Sequence, residues 1–207
     1  AHSNITVFSF HPVKIITTGE GGVALTNDST LADRMAKLRC HGITRDQKEM
    51  VLNSQGPWYY EQLSLGLNYR MTDIQAALGI SQLNRLNQFV GRRNEIALRY
   101  DKALMDHAIK RLVILEGNYS ARHLYVIRVP ANQRLKLFKT LRNEGMGVNL
   151  HYMPVHLQPY YRNLGFKEGN FSEAERHGRE AISLPLYPDI SDDELQSTIE
   201  NIITFFE

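Results

Sequence analysis

A single lysine, Lys14, lies between a strand-like apolar run and a glycine-rich turn in the stretch FSFHPVKIITTGEGG, residues 8–22. Residues 5–10 are β-branched and aromatic, which predicts a mostly buried strand. The glycines of residues 17–22 predict a turn, because glycine reaches positive φ without a Cβ clash. A loop between two strands can hold an amine rigidly and leave it partly accessible, as a Schiff-base lysine requires. The alternative is a solvated loop lysine, which the residue taken alone favours.

Ser9 and Arg70 are further polar side chains that could bind an anion. Ser9 ends the same predicted strand, where its hydroxyl could donate a hydrogen bond to the phosphate of an aldehyde cofactor. Arg70, in LNYRMTD, precedes a predicted helix, and an arginine can bind an anion together with a helix N-terminus. A serine satisfied by its own backbone and a solvated arginine are the alternatives.

Histidine and tyrosine side chains are concentrated in NLHYMPVHLQPYY, residues 149–161, around two prolines. The spacing of His151 and His156 does not suit two ligands on one helix face, so a metal site is not predicted. Polar aromatic side chains on a proline-bounded loop suit a sugar or another polyhydroxylated ligand. A packed surface loop has similar weight as an explanation. The sequence contains no Walker loop, no G-x-G-x-x-G and no G-x-S-x-G.

The composition is that of a soluble globular protein of one large or two small domains, with 207 residues and 43% hydrophobic side chains. A net charge of +2 gives no electrostatic argument for a nucleic-acid or membrane partner. The single cysteine, Cys40, excludes an internal disulfide and fits a reducing cytoplasm. No uninterrupted apolar run approaches the length of a membrane span.

The first half of the chain predicts strands followed by helices. A second strand is predicted over 22–27, a helix over 29–42 with Ser29 as N-cap, and a long ordered loop over 43–71. Residues 71–107 predict either one long helix or two helices with a bend near Gly91, capped by Thr72 or Asp73. A long helix can connect two domains, so we predict domains at 1–95 and 96–207.

The second half predicts a small α+β domain, with helices packed on a short sheet. Its predicted strands are 123–129 and 148–152, and its predicted helices are 132–145, 172–184 and 191–207.

Four segments, taken in order, carry a resemblance to a known family: SFHPVKIITTGEGGVALTND, LRCHGITRD, LGLNYRMTDIQAALGISQL and HYMPVHLQPYY. They resemble the pyridoxal-phosphate-dependent nucleotide-sugar aminotransferases, which have the aspartate aminotransferase fold. The resemblance implies an α/β fold class: the C-terminal part of a PLP-dependent transferase fold, with the end of the large-domain sheet, a long connecting helix and a small α+β domain. SFHPVK, HGITRD, GPWYYEQ and NYRMTDIQAALG look most like the 4-aminotransferases of pseudaminic acid biosynthesis.

The resemblance also implies roles for single residues. Lys14 matches the lysine that binds pyridoxal 5'-phosphate as a Schiff base and moves a proton between cofactor and sugar. Ser9 matches a phosphate-binding serine. Asn68 matches an asparagine that reaches the partner's cofactor phosphate in a homodimer with shared active sites, and Arg70 lies nearby. The positions implied for binding the sugar nucleotide are His11, His151, Tyr152 and His156.

The implied reaction moves an amino group from glutamate to C4 of a UDP-linked 4-keto-6-deoxy-N-acetyl sugar, in the cytoplasm. Ile15 departs from the proline expected after HPVK, which should alter loop stiffness more than chemistry. The family's upstream portion, including an Asp that pairs with the pyridine nitrogen, is not found in this sequence. We therefore expect the chain to be the C-terminal part of a longer enzyme and to catalyse little alone.

Two alternatives remain open at this point. A perosamine- or bacillosamine-type 4-aminotransferase would use the same residues on a different nucleotide sugar. A non-catalytic dimerisation fragment would keep the fold without the reaction.

Overall fold

The structure, a computed structural model, describes residues 3–105 and 107–207. The chain divides into two compact units, Ala1–Leu86 and Asn87–Glu207. The assignment of a large-domain part to residues 1–95 and of a small domain to 96–207 stays a prediction. Within the described residues, no helix combines the length and the apolar character needed to cross a membrane.

The first unit contains a β-hairpin, two helices and a second, very short pair of strands. In the hairpin, β1 and β2 are antiparallel, with Thr6 opposite Leu25 and Ser9 opposite Gly22. The elements in chain order are β1 (Thr6–Ser9), β2 (Gly22–Leu25), α1 (Ser29–Leu38), β3 (Ile43–Thr44), β4 (Glu61–Gln62) and α2 (Asp73–Leu83).

Strand β1 forms where the sequence predicts it, but its predicted burial is wrong for the described part of the chain. Val7 is 73% exposed and Phe8 is 49% exposed. Apolar residues on both faces are typical of a strand in a sheet that is covered on both faces. In the described structure all four residues of β1 are exposed, so both faces of the strand are open to solvent, and the strand is paired only along the edge that meets β2.

The helix boundaries of the first unit follow local capping. The N-cap of α1 is Asp28 rather than the predicted Ser29, because the Asp28 carboxylate accepts from Thr30 N at 2.8 Å and from Leu31 N at 3.2 Å. Thr72 caps α2 as predicted, in a capping box with Gln75. The predicted loop over 43–71 is interrupted by the β3–β4 pair and by a single bridge between Asn68 and Cys40.

The long helical stretch predicted over 71–107 forms two helices, which is one of the two predicted alternatives. The predicted position of the bend, near Gly91, is wrong. Helix α2 ends at Leu83 and α3 (Leu86–Ala103) begins three residues later. Gly91 lies inside α3, because a single glycine weakens a helix without breaking it.

The second unit is a three-stranded antiparallel sheet covered by helices, which confirms the predicted α+β arrangement. The sheet order is β5 (Lys110–Arg111), β6 (Tyr125–Arg128) and β7 (Ala181–Leu184). The helices are α3 with α4 (Ala131–Asn143), α5 (Pro159–Asn163), α6 (Ser172–Glu180) and α7 (Asp192–Phe206). Fully buried side chains from sheet and helices form the core, among them Ile96, Tyr100, Ile127, Leu137, Ile182 and Leu195.

Two sequence predictions for this unit are wrong in detail. The helix predicted over 172–184 ends at Glu180, and residues 181–184 form the buried strand β7. The strand gains a full ladder with β6 there, which a further helical turn would lose. Of the strand predicted over 148–152, only Asn149 pairs with a strand, through a single bridge to Ser183.

Candidate active site

Lys14 closes a tight turn in the loop that joins β1 to β2. The backbone N–H of Lys14 donates to the carbonyl of His11 at 2.9 Å, and Pro12 occupies the position that favours its fixed φ. The lysine is half-buried. Within the described residues, its amine takes part in no hydrogen bond or ion pair. The structure therefore presents Lys14 on an ordered turn with its nitrogen available.

The loop around Lys14 is fixed by hydrogen bonds that converge on Phe10. Its carbonyl accepts from Thr18 N at 3.0 Å and from Thr17 Oγ1 at 2.9 Å, and its N–H donates to Gly21 O at 2.9 Å. Gly21 has φ 155°, and a Cβ at this position would lie 2.3 Å from Thr18 Oγ1. Only glycine fits there, which gives the predicted architectural role of this turn a steric cause.

Helix α2 is also hydrogen-bonded to this loop. Gln75 Nε2 donates to the carbonyl of Glu20 at 2.9 Å. The Oε1 of Gln75 accepts from Thr72 N at 2.9 Å in the capping box. One side chain thus caps the helix and ties it to the β1–β2 loop. Sequence reasoning missed this contact; the T-x-x-Q spacing after Thr72 was the available signal.

Ser9 and His11 lie on the same hairpin as Lys14. Ser9 is exposed, and its Oγ accepts only a long hydrogen bond, 3.4 Å, from His11 N. Its hydroxyl proton can therefore still be donated. The His11 ring is also exposed, with Nε2 3.7 Å from Glu20 Oε1. The structure places Ser9, at the end of β1, on the same hairpin as His11 and Lys14 of the following loop.

Asn68 and Arg70 lie on a separate segment of the first unit. The backbone around Asn68 runs beside the end of α1 and forms a single bridge with Cys40. Arg70 Nη1 lies 3.0 Å from Cys40 Sγ. Both side chains are exposed. In the described residues, no hydrogen bond or ion pair joins them to Ser9 or Lys14.

His151 and Tyr152 belong to the second unit, at the start of the loop that leads to α5. His151 Nδ1 lies 2.7 Å from Ser183 Oγ on β7. Tyr152 is 69% exposed, with its ring edge-on to that of His151. The His151 side chain also lines a cavity of about 570 Å³, together with Glu144, Asn149, Ser183, Glu194 and Thr198. A cavity of this size with several polar groups can hold a small molecule.

His156 is buried, and its Nε2 lies 2.9 Å from Glu175 Oε1 on α6. The hydrogen bond from His156 holds the pKa of the Glu175 carboxyl below its usual range, against the effect of burial. The predicted contact between His156 and a sugar stays a prediction. Sequence reasoning missed Glu175, which it read only as one of the acidic residues that begin a helix.

The described residues include no group of three histidine, cysteine or acidic side chains arranged to hold a metal ion. They do fit pyridoxal phosphate. An amine with no partner on an ordered turn can condense with an aldehyde, and an exposed hydroxyl on the same hairpin can donate to a phosphate. Lys14 and Ser9 supply these two groups.

Comparison with known proteins finds relatives along nearly the whole chain. A sequence profile of the DegT/DnrJ/EryC1/StrS aminotransferase family matches residues 1–203. The spore coat polysaccharide biosynthesis protein SpsC of Bacillus subtilis is 40% identical over 205 residues, which are 95% of this chain and 52% of that protein. The UDP-4-amino-4,6-dideoxy-N-acetyl-beta-L-altrosamine transaminase of Campylobacter jejuni is 33% identical over 193 residues, 91% of this chain and 49% of that enzyme.

The three-dimensional comparison confirms the predicted fold class. The putative sugar aminotransferase Spr1654 of Streptococcus pneumoniae, in its PMP-form, superimposes with a TM-score of 0.89 at 34% identity, over 98% of this chain and 53% of that one. The chain thus spans about half the length of the relatives it matches. It belongs to the DegT/DnrJ/EryC1/StrS family of pyridoxal-phosphate-dependent sugar aminotransferases.

Proposed function

We propose that the complete protein moves an amino group from glutamate to C4 of a UDP-linked 4-keto-6-deoxy-N-acetyl sugar in pseudaminic acid biosynthesis. The observation that carries this proposal is the Lys14 amine, half-buried and without a partner in the described residues, on a rigid loop of a chain from this family. The similarity to the Campylobacter transaminase supports the choice of sugar. The single Cys40 supports a cytoplasmic reaction.

The cofactor would be held by Lys14 and Ser9 of one protomer and by Asn68 and Arg70 of the other. Pyridoxal phosphate, when bound, supplies the electron sink that lets an amino group move between two carbon skeletons. Ser9 Oγ donates to the phosphate, and the Asn68 amide and the Arg70 guanidinium add donors from across the dimer. The resemblance of Asn68 to an asparagine that reaches the partner's cofactor phosphate supports a twofold dimer with shared sites.

Lys14 also serves as the acid–base group of the reaction. Its amine would take up a proton and, as the ammonium, deliver that proton at C4 of the sugar. The β1–β2 loop, with its bonds to Phe10 and its bond to Gln75, keeps the amine at one place through both halves of the reaction.

The resemblance supports contacts of the sugar nucleotide with His11 on the hairpin loop and, on the second unit, with His151 and Tyr152, while the buried His156 would act indirectly. Tyr152 is the most exposed of the three on the second unit, and an aromatic face with a hydroxyl suits a sugar or a base. His151 lines the polar cavity beside β7.

The experiment that tests this proposal offers the complete enzyme glutamate and a panel of UDP-linked 4-keto sugars, with products identified by mass spectrometry. The Lys14→Arg variant keeps the charge but cannot condense with an aldehyde, and Lys48→Arg serves as a control at an exposed lysine of the same unit. We expect a 4-amino product with wild type and Lys48→Arg and none with Lys14→Arg. No amination by wild type, or equal amination by Lys14→Arg, would contradict the proposal.

A second candidate is a 4-aminotransferase of the perosamine or bacillosamine type. The identity to SpsC, 40%, exceeds the identity to the altrosamine transaminase, 33%, which supports testing sugars other than the altrosamine precursor. A panel widened to 4-keto sugars linked to other nucleotides separates the two, because the preferred substrate is the one with the highest kcat/KM. The third candidate is a non-catalytic dimerisation module. Any amination by the wild-type enzyme would exclude it.

A further inference from the structure

Helix α6 contacts residues 151–157, the segment that carries Tyr152, at successive points. His177 Nε2 lies 3.2 Å from the carbonyl oxygen of His151, which can only accept. One residue further along, Gly178 faces Pro154 so closely that a Cβ would lie 2.6 Å from the proline Cδ. The beginning and the middle of the segment are therefore seated directly on α6.

The end of the segment is held by a buried carboxylate. Glu175 Oε1 lies 2.9 Å from His156 Nε2, and the same oxygen accepts from Gly169 N at 2.8 Å and from Phe171 N at 3.4 Å. The Glu175 and His156 side chains are 4% and 8% exposed. The ring of Phe171 meets the imidazole edge-on at 4.9 Å and covers it. One oxygen thus fixes both His156 and the turn before α6.

A hydrogen-bond donor and a nearby guanidinium stabilise the negative charge of the Glu175 carboxylate. His156 is its hydrogen-bond donor, and Arg179 Nη1 lies 4.0 Å from Glu175 Oε2. Hydrogen bonds to an ionised acceptor are about twice as strong as neutral ones. Removal of the charge should therefore loosen the segment even where an oxygen remains to accept.

The outward side of the segment is left free by this arrangement. Tyr152, Met153 and Val155 are exposed, whereas His151, Pro154 and His156 are the residues that contact α6 or β7. The buried contacts fix the backbone from which Tyr152 projects.

We propose that Glu175 is a positioning residue: through His156 and the turn at 169–171 it holds the 151–157 segment in the conformation that binds the sugar nucleotide. This inference rests on the proposed function, in which Tyr152 and His151 contact that substrate. His156 then acts through the segment as the anchor of its far end. A positioning role predicts weaker binding of the sugar nucleotide with the amino-donor half of the reaction unchanged.

The test uses Glu175→Gln in the complete enzyme, with Glu173→Gln as the matched control. Glu173 lies on the same helix, is exposed and pairs only with Arg176 among the described residues. Glu175→Gln should raise KM for the sugar nucleotide about tenfold, leave kcat within about twofold, and speed amide exchange in residues 151–157 and 167–171 about tenfold. The reaction with glutamate, followed by the absorbance of the cofactor, should be unchanged. Glu173→Gln should match wild type throughout.

The amide exchange rates and KM for the sugar nucleotide together test whether Glu175 is a positioning residue. Unchanged exchange in Glu175→Gln, or faster exchange with unchanged KM, would overturn it. If Glu175→Gln does not fold, His156→Gln, which keeps a donor and removes the ring, should give the same two shifts, and their absence would overturn it equally. A wild-type enzyme that accepts no UDP-linked keto sugar would contradict the proposed function, while the exchange rates would still decide whether Glu175 holds the segment.

Discussion

Gln75 Nε2 donates to the carbonyl of Glu20 at 2.9 Å, across 55 residues of sequence, and so ties the first turn of α2 to the loop that carries Lys14. The same side chain accepts from Thr72 in the capping box. Because one glutamine both caps the helix and donates to the loop, two substitutions can separate these two roles.

Gln75→Glu should keep the hydrogen bond from Thr72 N and lose the hydrogen bond to Glu20 O. Gln75→Ala should lose both hydrogen bonds. A glutamate at this position accepts from Thr72 N as well as glutamine does, but it cannot donate to Glu20 O. We expect both variants of the complete enzyme to bind pyridoxal phosphate more weakly. Only Gln75→Ala should lose about 1 kcal/mol of unfolding free energy, measured in urea. Unchanged cofactor affinity in both would show that the tie does not order the Lys14 loop.

Ser9→Ala should weaken cofactor binding about tenfold, because one hydrogen bond to a charged phosphate is lost. The measurement is an absorbance titration with pyridoxal phosphate. Ser29→Ala is the control, since Ser29 is exposed at the start of α1 and is not its N-cap. Equal affinity of Ser9→Ala and Ser29→Ala would exclude Ser9 from the phosphate site.

Mixed dimers should reveal whether Asn68 serves the partner's site. Lys14→Ala and Asn68→Ala homodimers should each be nearly inactive. A mixed dimer would contain one site with Lys14 from one protomer and Asn68 from the other. Random reassortment of equal amounts should therefore restore about one quarter of wild-type activity. No recovery after verified exchange of protomers would place Asn68 in the same site as its own Lys14, or in neither.

Glu175 should make the stability of the protein depend on pH in the acid range. Its pKa is lowered in the folded protein, chiefly by the hydrogen bond from His156, so the folded state binds a proton less readily than the unfolded chain. The stabilisation is complete above the ordinary carboxyl pKa and is lost as the pH falls through the lowered folded value. Glu175→Gln should have a shallower dependence of unfolding free energy on pH in that window than Glu173→Gln. Parallel curves would contradict this assignment.

The parts of the fold that follow from local chemistry could be predicted from the sequence. The β1–β2 hairpin around the glycine-rich turn, the Thr72 cap and the Ser191 cap of α7 all lie where the residues indicate. The position of Lys14 on the loop between two strands follows from the same pattern.

The parts that depend on distant residues could not be predicted. Residues 181–184 continue an amphipathic helical pattern, and only pairing with β6 makes them a strand. The break between α2 and α3 occurs at Asn84 and Arg85, which are ordinary helix residues, so no local signal marks it. Glu175 and His156 meet across 19 residues through tertiary packing, and neither residue type indicates its partner.

The open faces of β1 have a practical consequence for work with the 207-residue chain in isolation. A strand with unpaired N–H and C=O groups and bare apolar side chains is a template for addition of another strand. Purified material should therefore self-associate in a concentration-dependent way through this edge. Oligomer sizes measured on the isolated chain would then report this edge-to-edge addition rather than the twofold dimer of an aminotransferase. A charge placed outward on the strand, as in Val7→Lys, should suppress the first kind of association and leave the second.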